Sequence, residues 1–149
     1  MNQPKTVKIL AFHADRCKGC LACEKACSQV HFKTNAGGDQ SALRITKTDQ
    51  GYQMHVCDQR GLCLDLCPVG ALRRQKNGVV VLDPKICVGC QACVAFCPIG
   101  AMRKSKLRLE PFKCISCGSC VRACPEKALE LVERNIAEIK QIVYHKQGV

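Results

Sequence analysis

The stretch Cys87-Val-Gly-Cys90-Gln-Ala-Cys93-Val-Ala-Phe-Cys97-Pro98 decides the fold of this chain, because its pattern is repeated along the sequence. Four cysteines stand at intervals of two, two and three residues, and a proline follows the last one. Three other segments repeat this pattern in whole or in part, and the four motifs together use all 15 cysteines of the 149 residues. The other motifs contain Cys17, Cys20, Cys23 and Cys27; Cys57, Cys63 and Cys67; and Cys114, Cys117, Cys120 and Cys124.

The spacing of these thiols indicates iron-sulfur chemistry. Cys-x2-Cys-x2-Cys-x3-Cys-Pro is the bacterial ferredoxin pattern, in which three neighbouring thiolates bind one 4Fe-4S cluster and the fourth binds the cluster of a second motif. One motif is therefore incomplete alone, so the four motifs are predicted to work in two pairs. Zinc modules instead use Cys-x2-Cys pairs separated by longer loops, and a disulfide framework would not explain the fixed spacing.

The apolar content is low for a globular domain of this length. Hydrophobic residues make up 47% of the chain, a figure that includes the cysteines, while aromatic residues are only 4% and tryptophan is absent. Metal-ligand bonds can supply the missing stability, because the free energy of binding to a site that the unfolded chain lacks becomes folding free energy. The sequence therefore predicts a fold that depends on its clusters.

The formal net charge is +11 at pH 7, and such a basic excess is typical of nucleic-acid binding. A 4Fe-4S cluster with four thiolates carries about −2, so four clusters would leave a net charge of about +3. The excess is therefore interpreted as compensation for buried anionic clusters, and no nucleic-acid partner is predicted. Two basic runs between motifs are either solvated faces or docking sites for an acidic partner. They contain Arg73, Arg74 and Lys76, and Arg103, Lys104 and Lys106.

The N-terminal segment Met1-Asn-Gln-Pro-Lys5 is not followed by an apolar signal region. No stretch of the sequence approaches 18 apolar residues, the length that would indicate a membrane span. The odd number of cysteines also argues against a secreted disulfide protein. These features predict a cytoplasmic protein without a membrane-spanning segment.

Short elements of both types are predicted, which gives an α+β fold class. Residues 7–10 read as a strand, 42–56 and 71–82 as hairpins, and 98–102 with 107–109 as a further pair of short strands. A helix through Cys27 is expected to run on to Phe32, because Ser28 stands where a proline ends the helix in the other motifs. A C-terminal helix is predicted from an apolar stripe at Leu129, Val132, Ile136, Ile139 and Val143.

Two arrangements of motif pairs are compatible with this order: sequential, or nested with the middle motifs paired inside the outer ones. The segment from Cys67 to Cys87 has a ferredoxin-like length, whereas the one from Cys27 to Cys57 is longer and carries a hairpin, which favours nesting. The inner ferredoxin-like unit would span residues 57–97, and the outer one residues 1–56 and 98–149. The predicted ligand sets are Cys17, Cys20, Cys23 and Cys124 for cluster 1; Cys114, Cys117, Cys120 and Cys27 for cluster 2; Cys87, Cys90, Cys93 and Cys67 for cluster 3; and Cys57, Cys63 and Cys97 for cluster 4.

The second motif is incomplete, because Arg60 stands where its second cysteine belongs. A guanidinium group has no lone pair to offer and stays protonated in proteins, so Arg60 is not a ligand. Three outcomes follow for the fourth site: a 3Fe-4S cluster, an empty site, or a 4Fe-4S cluster with a non-cysteine ligand. The other three clusters are predicted to be of the 4Fe-4S type.

The four motifs together resemble the small four-cluster ferredoxin-like subunits of multisubunit oxidoreductases. The resemblance covers nearly the whole chain and includes Cys17-Lys-Gly-Cys-Leu-Ala-Cys-Glu-Lys-Ala-Cys-Ser-Gln-Val-His-Phe32 and Ser41-Ala-Leu-Arg-Ile45. Because the chain has no long insertions between its motifs, it is most similar to the small subunits of tungsten aldehyde oxidoreductases and ATP-independent benzoyl-CoA reductases. The family pattern implies nested ligand pairing and four complete motifs, from which this chain departs at Arg60.

The resemblance implies an electron-transfer subunit that has no substrate site of its own. It would pass single electrons between a large catalytic subunit, of tungsten or molybdenum type, and a further redox partner such as a ferredoxin or flavoprotein. The sequence contains no Ser/His/Asp set, phosphate-binding glycine loop or carboxylate pair that would indicate catalysis. The alternatives are a free-standing polyferredoxin shuttle, or a subunit of a hydrogenase, formate dehydrogenase or carbon monoxide dehydrogenase.

Overall fold

The structure is a computed structural model that describes residues 4–139. It confirms an α+β arrangement of short elements that are joined by long cysteine-bearing loops. A single 3-10 turn at Gly38–Gln40 follows the first helix. The elements are β1 Thr6–Phe12, α1 Ala22–Phe32, β2 Arg44–Thr48, β3 Gly51–His55, α2 Leu62–Leu66, β4 Leu72–Arg74, β5 Val80–Leu82, α3 Ala92–Phe96, α4 Ser119–Ala123 and β6 Leu129–Asn135.

The helices differ in length for the reason predicted from the sequence. Helix α1 has 11 residues, whereas α2, α3 and α4 have five each. The three short helices stop at the fourth cysteine of their motif, which takes an extended conformation because a proline follows it. Ser28 lets α1 continue, and its hydroxyl donates to the carbonyl oxygen of Lys25 at 2.8 Å.

Residues 4–139 also form three two-stranded antiparallel sheets. Strand β1 pairs with β6 along its whole length, from Thr6 opposite Asn135 to Phe12 opposite Leu129. The pairs β2–β3 and β4–β5 are the two predicted hairpins. The sheet of β1 and β6 thus joins the two ends of the described chain, next to the first and the last cysteine motif.

The predicted C-terminal helix is wrong over residues 129–135, which form β6. Leu129 is buried while Glu130 is exposed, which fits a strand, and the backbone pairs with β1 residue by residue. The apolar spacing was ambiguous between helix and strand, and the unpaired edge of β1 decides between them. A helical turn follows at residues 136–139, and Val143 lies outside the described residues.

The predicted strand pair at 98–102 and 107–109 is also wrong. In this part of the described chain, the only ladder contact is an isolated bridge in which Arg103 and Phe112 exchange two backbone hydrogen bonds of 2.8 and 2.9 Å. Lys104 prevents a regular return strand, since its ammonium group donates to the carbonyl oxygens of Arg108 and Leu109 and holds residues 104–109 as a compact loop.

The apolar core consists of small groups of side chains that include cysteines. One group joins Leu10, Leu43, Phe112 and Leu129 to the thiols of the first and last motifs, and another joins Leu72, Val80 and Met102 to thiols of the middle motifs. A third group of Val7, Val79, Ile136 and Ile139 contains no cysteine. Much of the packing therefore surrounds sulfur, which agrees with the low apolar content of the sequence.

Candidate iron-sulfur centres

Cysteines from two motifs line a common cavity at three places, and cysteines from the middle two motifs also share one core group. We call the three cavities the first, second and fourth sites, and the surroundings of Cys93 the third. A cavity at the first site is lined by Cys17, Cys20, Cys23 and Cys124, one at the second by Cys27, Cys114, Cys117 and Cys120, and one at the fourth by Cys57, Cys63 and Cys97. At the third site, Cys67 packs against the core group that contains Cys93, next to Cys87 and Cys90.

The helices explain why these cysteines meet. Helix α1 packs on α4, and α2 packs on α3. Each helix carries the third cysteine of its motif in its first turn, and the fourth cysteine lies within α1 or directly after the shorter helices. Packing two such helices side by side therefore brings the fourth cysteine of one motif to the loop of the other.

Backbone N–H groups point at the sulfur atoms in a repeated pattern. The first cysteine of three motifs accepts from the residue two positions later, at 3.3–3.4 Å, and the fourth accepts from an alanine four positions later, at 3.2–3.4 Å. Such bonds favour the thiolate form and tune the potential of a bound cluster. The donor and acceptor pairs are Gln59 and Cys57, Gly89 and Cys87, Ser116 and Cys114, Ala71 and Cys67, Ala101 and Cys97, and Ala128 and Cys124.

In the first motif the fourth cysteine also accepts a hydrogen bond from a backbone N–H, but the donor lies much later in the chain. Its fourth cysteine, Cys27, accepts from the N–H of Ala42, fifteen residues later, at 3.2 Å. Glu24 fixes this return of the chain, since its carboxylate accepts from the N–H groups of Gly38 and Ile45 at 3.2 and 2.9 Å. Our sequence reasoning missed these donors, although the repeated Cys-Pro-x-x-Ala pattern would have indicated three of them. Ala42, Ala71, Ala101 and Ala128 are all buried.

The loop of every motif has the same backbone shape. The second residue after the first cysteine has φ between 55° and 74°, and the fourth residue has φ between 61° and 84°. Several of these residues are not glycine, so the left-handed conformation costs energy and must be held by its surroundings. The residues are Gly19 and Leu21, Gln59 and Gly61, Gly89 and Gln91, and Ser116 and Gly118. The incomplete second motif shares this shape.

Burial disfavours the charged thiolate form of several of these cysteines. It raises the pKa of Cys23, Cys114 and Cys120 to about 12, and that of Cys63 to about 11, with neighbouring cysteines adding to the effect. A buried thiol of this kind becomes a thiolate only beside a strong positive charge such as a metal. Grouped, buried thiols with N–H donors aimed at sulfur therefore fit iron-sulfur clusters as the resident group.

The fourth site contains polar groups that our sequence reasoning missed. Lys113 is 3% exposed, lines the same cavity as Cys57 and Cys63, and donates to the side-chain oxygen of Gln59 at 2.7 Å, to the carbonyl of Cys114 at 2.9 Å and to the carbonyl of Val80. No local pattern could reveal this group, because Lys113 and Gln59 are 54 residues apart.

Arg60 is also buried, at 6% exposed, and forms an ion pair with Asp58. Its Nε lies 2.9 and 3.1 Å from the two carboxylate oxygens, and its Nη2 lies 2.5 Å from one of them. Arg74 supports this loop by donating to the carbonyl oxygens of Gln59 and Arg60 at 2.9 and 3.2 Å. Part of the first basic run is therefore structural, and only Arg73 and Lys76 are exposed.

Comparisons with known proteins agree with this chemistry. A 4Fe-4S dicluster domain matches residues 79–140, a second 4Fe-4S dicluster domain matches 56–101, and a 4Fe-4S binding domain matches 14–33. The chain is therefore an iron-sulfur protein with ferredoxin-like 4Fe-4S domains. Among residues 4–139, none of the helices has the length and apolar character needed to cross a membrane.

Curated proteins from Escherichia coli K12 are similar to parts of this chain. The chain is 32% identical over 97 residues to an uncharacterized ferredoxin-like protein, YdhX, covering 59% of the chain and 44% of the relative. It is 35% identical over 77 residues to hydrogenase-4 component A, covering 50% and 37%, and 32% identical over 94 residues to the probable anaerobic dimethyl sulfoxide reductase chain YnfG, covering 52% and 45%. The chain thus spans less than half the length of these three relatives.

Proposed function

We propose that this chain is the electron-transfer subunit of an oxidoreductase complex and passes single electrons between a catalytic subunit and a second redox partner. The observation that carries the proposal is the presence of four cysteine groups in one small body, each built from two motifs. Iron-sulfur clusters bound there would supply reversible one-electron chemistry. The chain itself contributes thiolates that bind iron, N–H groups that donate to sulfur, and apolar packing that limits the access of water.

The ligand sets that we propose are the nested ones. Cavity lining and helix packing support them, since α1 contacts α4 and α2 contacts α3. The first and second sites would then belong to an outer unit of residues 1–56 and 98–149. The third and fourth sites would belong to an inner unit of residues 57–97.

Neighbouring thiols indicate the order of the four sites. Cys23 of the first site and Cys120 of the second belong to one core group, and Cys57 of the fourth site packs against that group, which also contains Cys114 of the second. Cys63 and Cys97 of the fourth site pack against the core group that contains Cys93 of the third. We infer the order first, second, fourth, third, with the incomplete site in the interior.

The two ends of this series have different surfaces. At the first site, the Tyr52 hydroxyl covers Gly19, whereas at the third site the Leu109 side chain covers Gly89. Val88 and Leu109 are 58% and 62% exposed, next to the exposed Cys90. Exposed apolar side chains beside a redox site are typical of a docking surface. We assign the third site to the end that contacts a partner protein through apolar packing.

The nature of the catalytic partner is the finer part of the proposal. The compact arrangement of motifs favours an enzyme of the tungsten aldehyde oxidoreductase or benzoyl-CoA reductase type, while the relatives include subunits named for a hydrogenase and a dimethyl sulfoxide reductase. Anaerobic purification of the tagged chain from its own organism tests this choice. We expect a large subunit to co-purify with tungsten or molybdenum. Purification of the iron-loaded chain alone would instead support a free-standing carrier.

Replacing Lys113 with glutamine tests the electrostatic role of this buried cation. Removing a positive charge beside an anionic cluster should lower its midpoint potential, on the order of 50–100 mV at the second and fourth sites. Lys18→Gln is the matched control, because Lys18 lines the first site but is exposed to solvent, which screens its charge. EPR-monitored redox titration measures both variants. A larger shift in the control would contradict the assigned role of Lys113.

A further inference from the structure

The fourth site keeps the local geometry of the complete sites at three of its four corners. Gln59 and Gly61 take the same left-handed conformations as their counterparts in the other motifs. The N–H of Gln59 donates to Cys57 at 3.3 Å and the N–H of Ala101 donates to Cys97 at 3.3 Å, as at the other first and fourth cysteines. Loss of one cysteine has therefore not changed the shape of this loop.

Lys113 brings a buried positive charge to the cavity of the fourth site. The ammonium group of Lys113 contacts only neutral oxygens, and within residues 4–139 no carboxylate lies at ion-pair distance from it. Burying a cation without a negative partner costs several kcal/mol. A negatively charged group in the cavity that Lys113 lines would offset this cost, and three thiolates with a cluster carry that charge.

The remaining corner offers no side-chain ligand. Arg60 has no lone pair, and the carboxylate of Asp58 accepts three side-chain contacts and one backbone N–H contact from Arg60. The amide of Gln59 is turned away, since its oxygen accepts from Val80 N–H and Lys113, and its nitrogen donates to the carbonyl of Cys114 at 2.8 Å. Other residues that line this cavity are apolar, and they include Leu62, Ile99 and Met102.

From these observations we infer that the fourth site binds a 3Fe-4S cluster as its native form, and that the Arg60–Asp58 ion pair closes the corner where a fourth iron would need a ligand. This inference rests on the proposed function and specifies one site within it. Cys57, Cys63 and Cys97 would each bind one iron, while Arg60 pairs with Asp58, the one carboxylate among the residues that line this cavity. The charge of Arg60 is balanced by Asp58, whereas Lys113 has no carboxylate partner within residues 4–139 and favours the reduced, more negative state, so this site would have the highest potential of the four.

A site of high potential in the interior would change how electrons move along the four sites. In the order proposed above, the fourth site lies between the second and the third. An electron that enters from either end would be held at this site until the partner at the other end can accept it. The chain would then store one electron instead of passing it on at once.

Arg60→Cys restores the missing ligand and tests the inference directly. We expect about 15 irons per wild-type chain and about 16 in Arg60→Cys, with the EPR signal of an oxidised three-iron cluster in the wild type only. Arg60→Lys is the control, since lysine keeps the positive charge but does not complete the motif, and it should retain the three-iron signal. All samples are prepared anaerobically and incubated with excess ferrous iron, sulfide and reductant, because a damaged four-iron cluster regains iron under these conditions. They are then desalted and mildly oxidised before the iron is counted and the EPR spectra are recorded.

Each result decides between the alternatives. A wild-type protein with about 12 irons has an empty fourth site, and one with about 16 irons has a non-cysteine ligand. Either result overturns this inference and leaves the proposed function intact. A chain that binds no iron would overturn both. Should Arg60→Cys fail to fold, the wild-type iron count and its EPR signal after the iron incubation still decide the outcome.

Discussion

Removal of iron from the anaerobically purified protein is expected to unfold it, with loss of most of its helix and strand signal. The helices α2, α3 and α4 have five residues each, far below the length at which an isolated helix is stable. The sheets have two strands each, and an isolated two-stranded sheet is at best marginally stable in water. These elements are joined through thiols, so the loss of metal would leave cavities lined by buried sulfur.

Chelation of iron under mild denaturant, followed by far-ultraviolet circular dichroism and visible absorbance on one sample, measures this dependence. Both signals should fall together, because the free energy of cluster binding is the free energy of folding. The control is the same treatment with iron added in excess of the chelator, which should leave both signals unchanged. A colourless protein that keeps its native circular dichroism would contradict the prediction.

Elements that depend on local signals were predictable from the sequence. The prolines after Cys67, Cys97 and Cys124 set the ends of the short helices, and their absence after Cys27 lengthened α1. The two hairpins lie within the predicted ranges 42–56 and 71–82, and their turns fall at Asp49-Gln-Gly51 and Lys76-Asn-Gly78, which are typical turn residues. In each case the deciding residues are within a few positions of the structure that they determine.

Elements that depend on distant partners could not be predicted in this way. Strand β6 carries apolar residues at a spacing that also suits a helix, and only pairing with β1, more than 115 residues earlier in the chain, selects the strand. The strands expected after the third motif are absent among the described residues because Lys104 closes a loop there. Nothing local to residues 98–109 signals that contact.

The same distinction holds for the candidate site. Cysteine spacing was enough to predict the candidate iron ligands, because each motif places its first cysteines within a seven-residue loop, three of them in the complete motifs and two in the second. The polar surroundings of the fourth site were not predictable, since Lys113 reaches Gln59 and Val80 from another part of the chain. Potentials and cluster type depend on these groups, so they require the structure as well as the motif.

Replacing Cys27 with alanine should remove the cluster of the second site and leave that of the first site intact. Cys27 is buried, lines one cavity with Cys114, Cys117 and Cys120, and accepts from Ala42 N–H. It precedes the second motif by thirty residues, so sequential pairing would instead make it a ligand for the cluster of Cys57 and Cys63. The two arrangements therefore predict damage at different cysteines.

Anaerobic alkylation followed by mass spectrometry identifies the exposed thiols. In Cys27→Ala we expect Cys114, Cys117 and Cys120 to be modified, with a loss of about four irons per chain, while Cys17 and Cys20 stay protected by their cluster. The matched variant Cys124→Ala should give the opposite result, because Cys124 lines the first site. Modification of Cys57 and Cys63 in Cys27→Ala, with Cys114 protected, would contradict the nested arrangement. Of the two arrangements, only nesting places both ends of the described chain around the same pair of clusters, which the pairing of β1 with β6 favours.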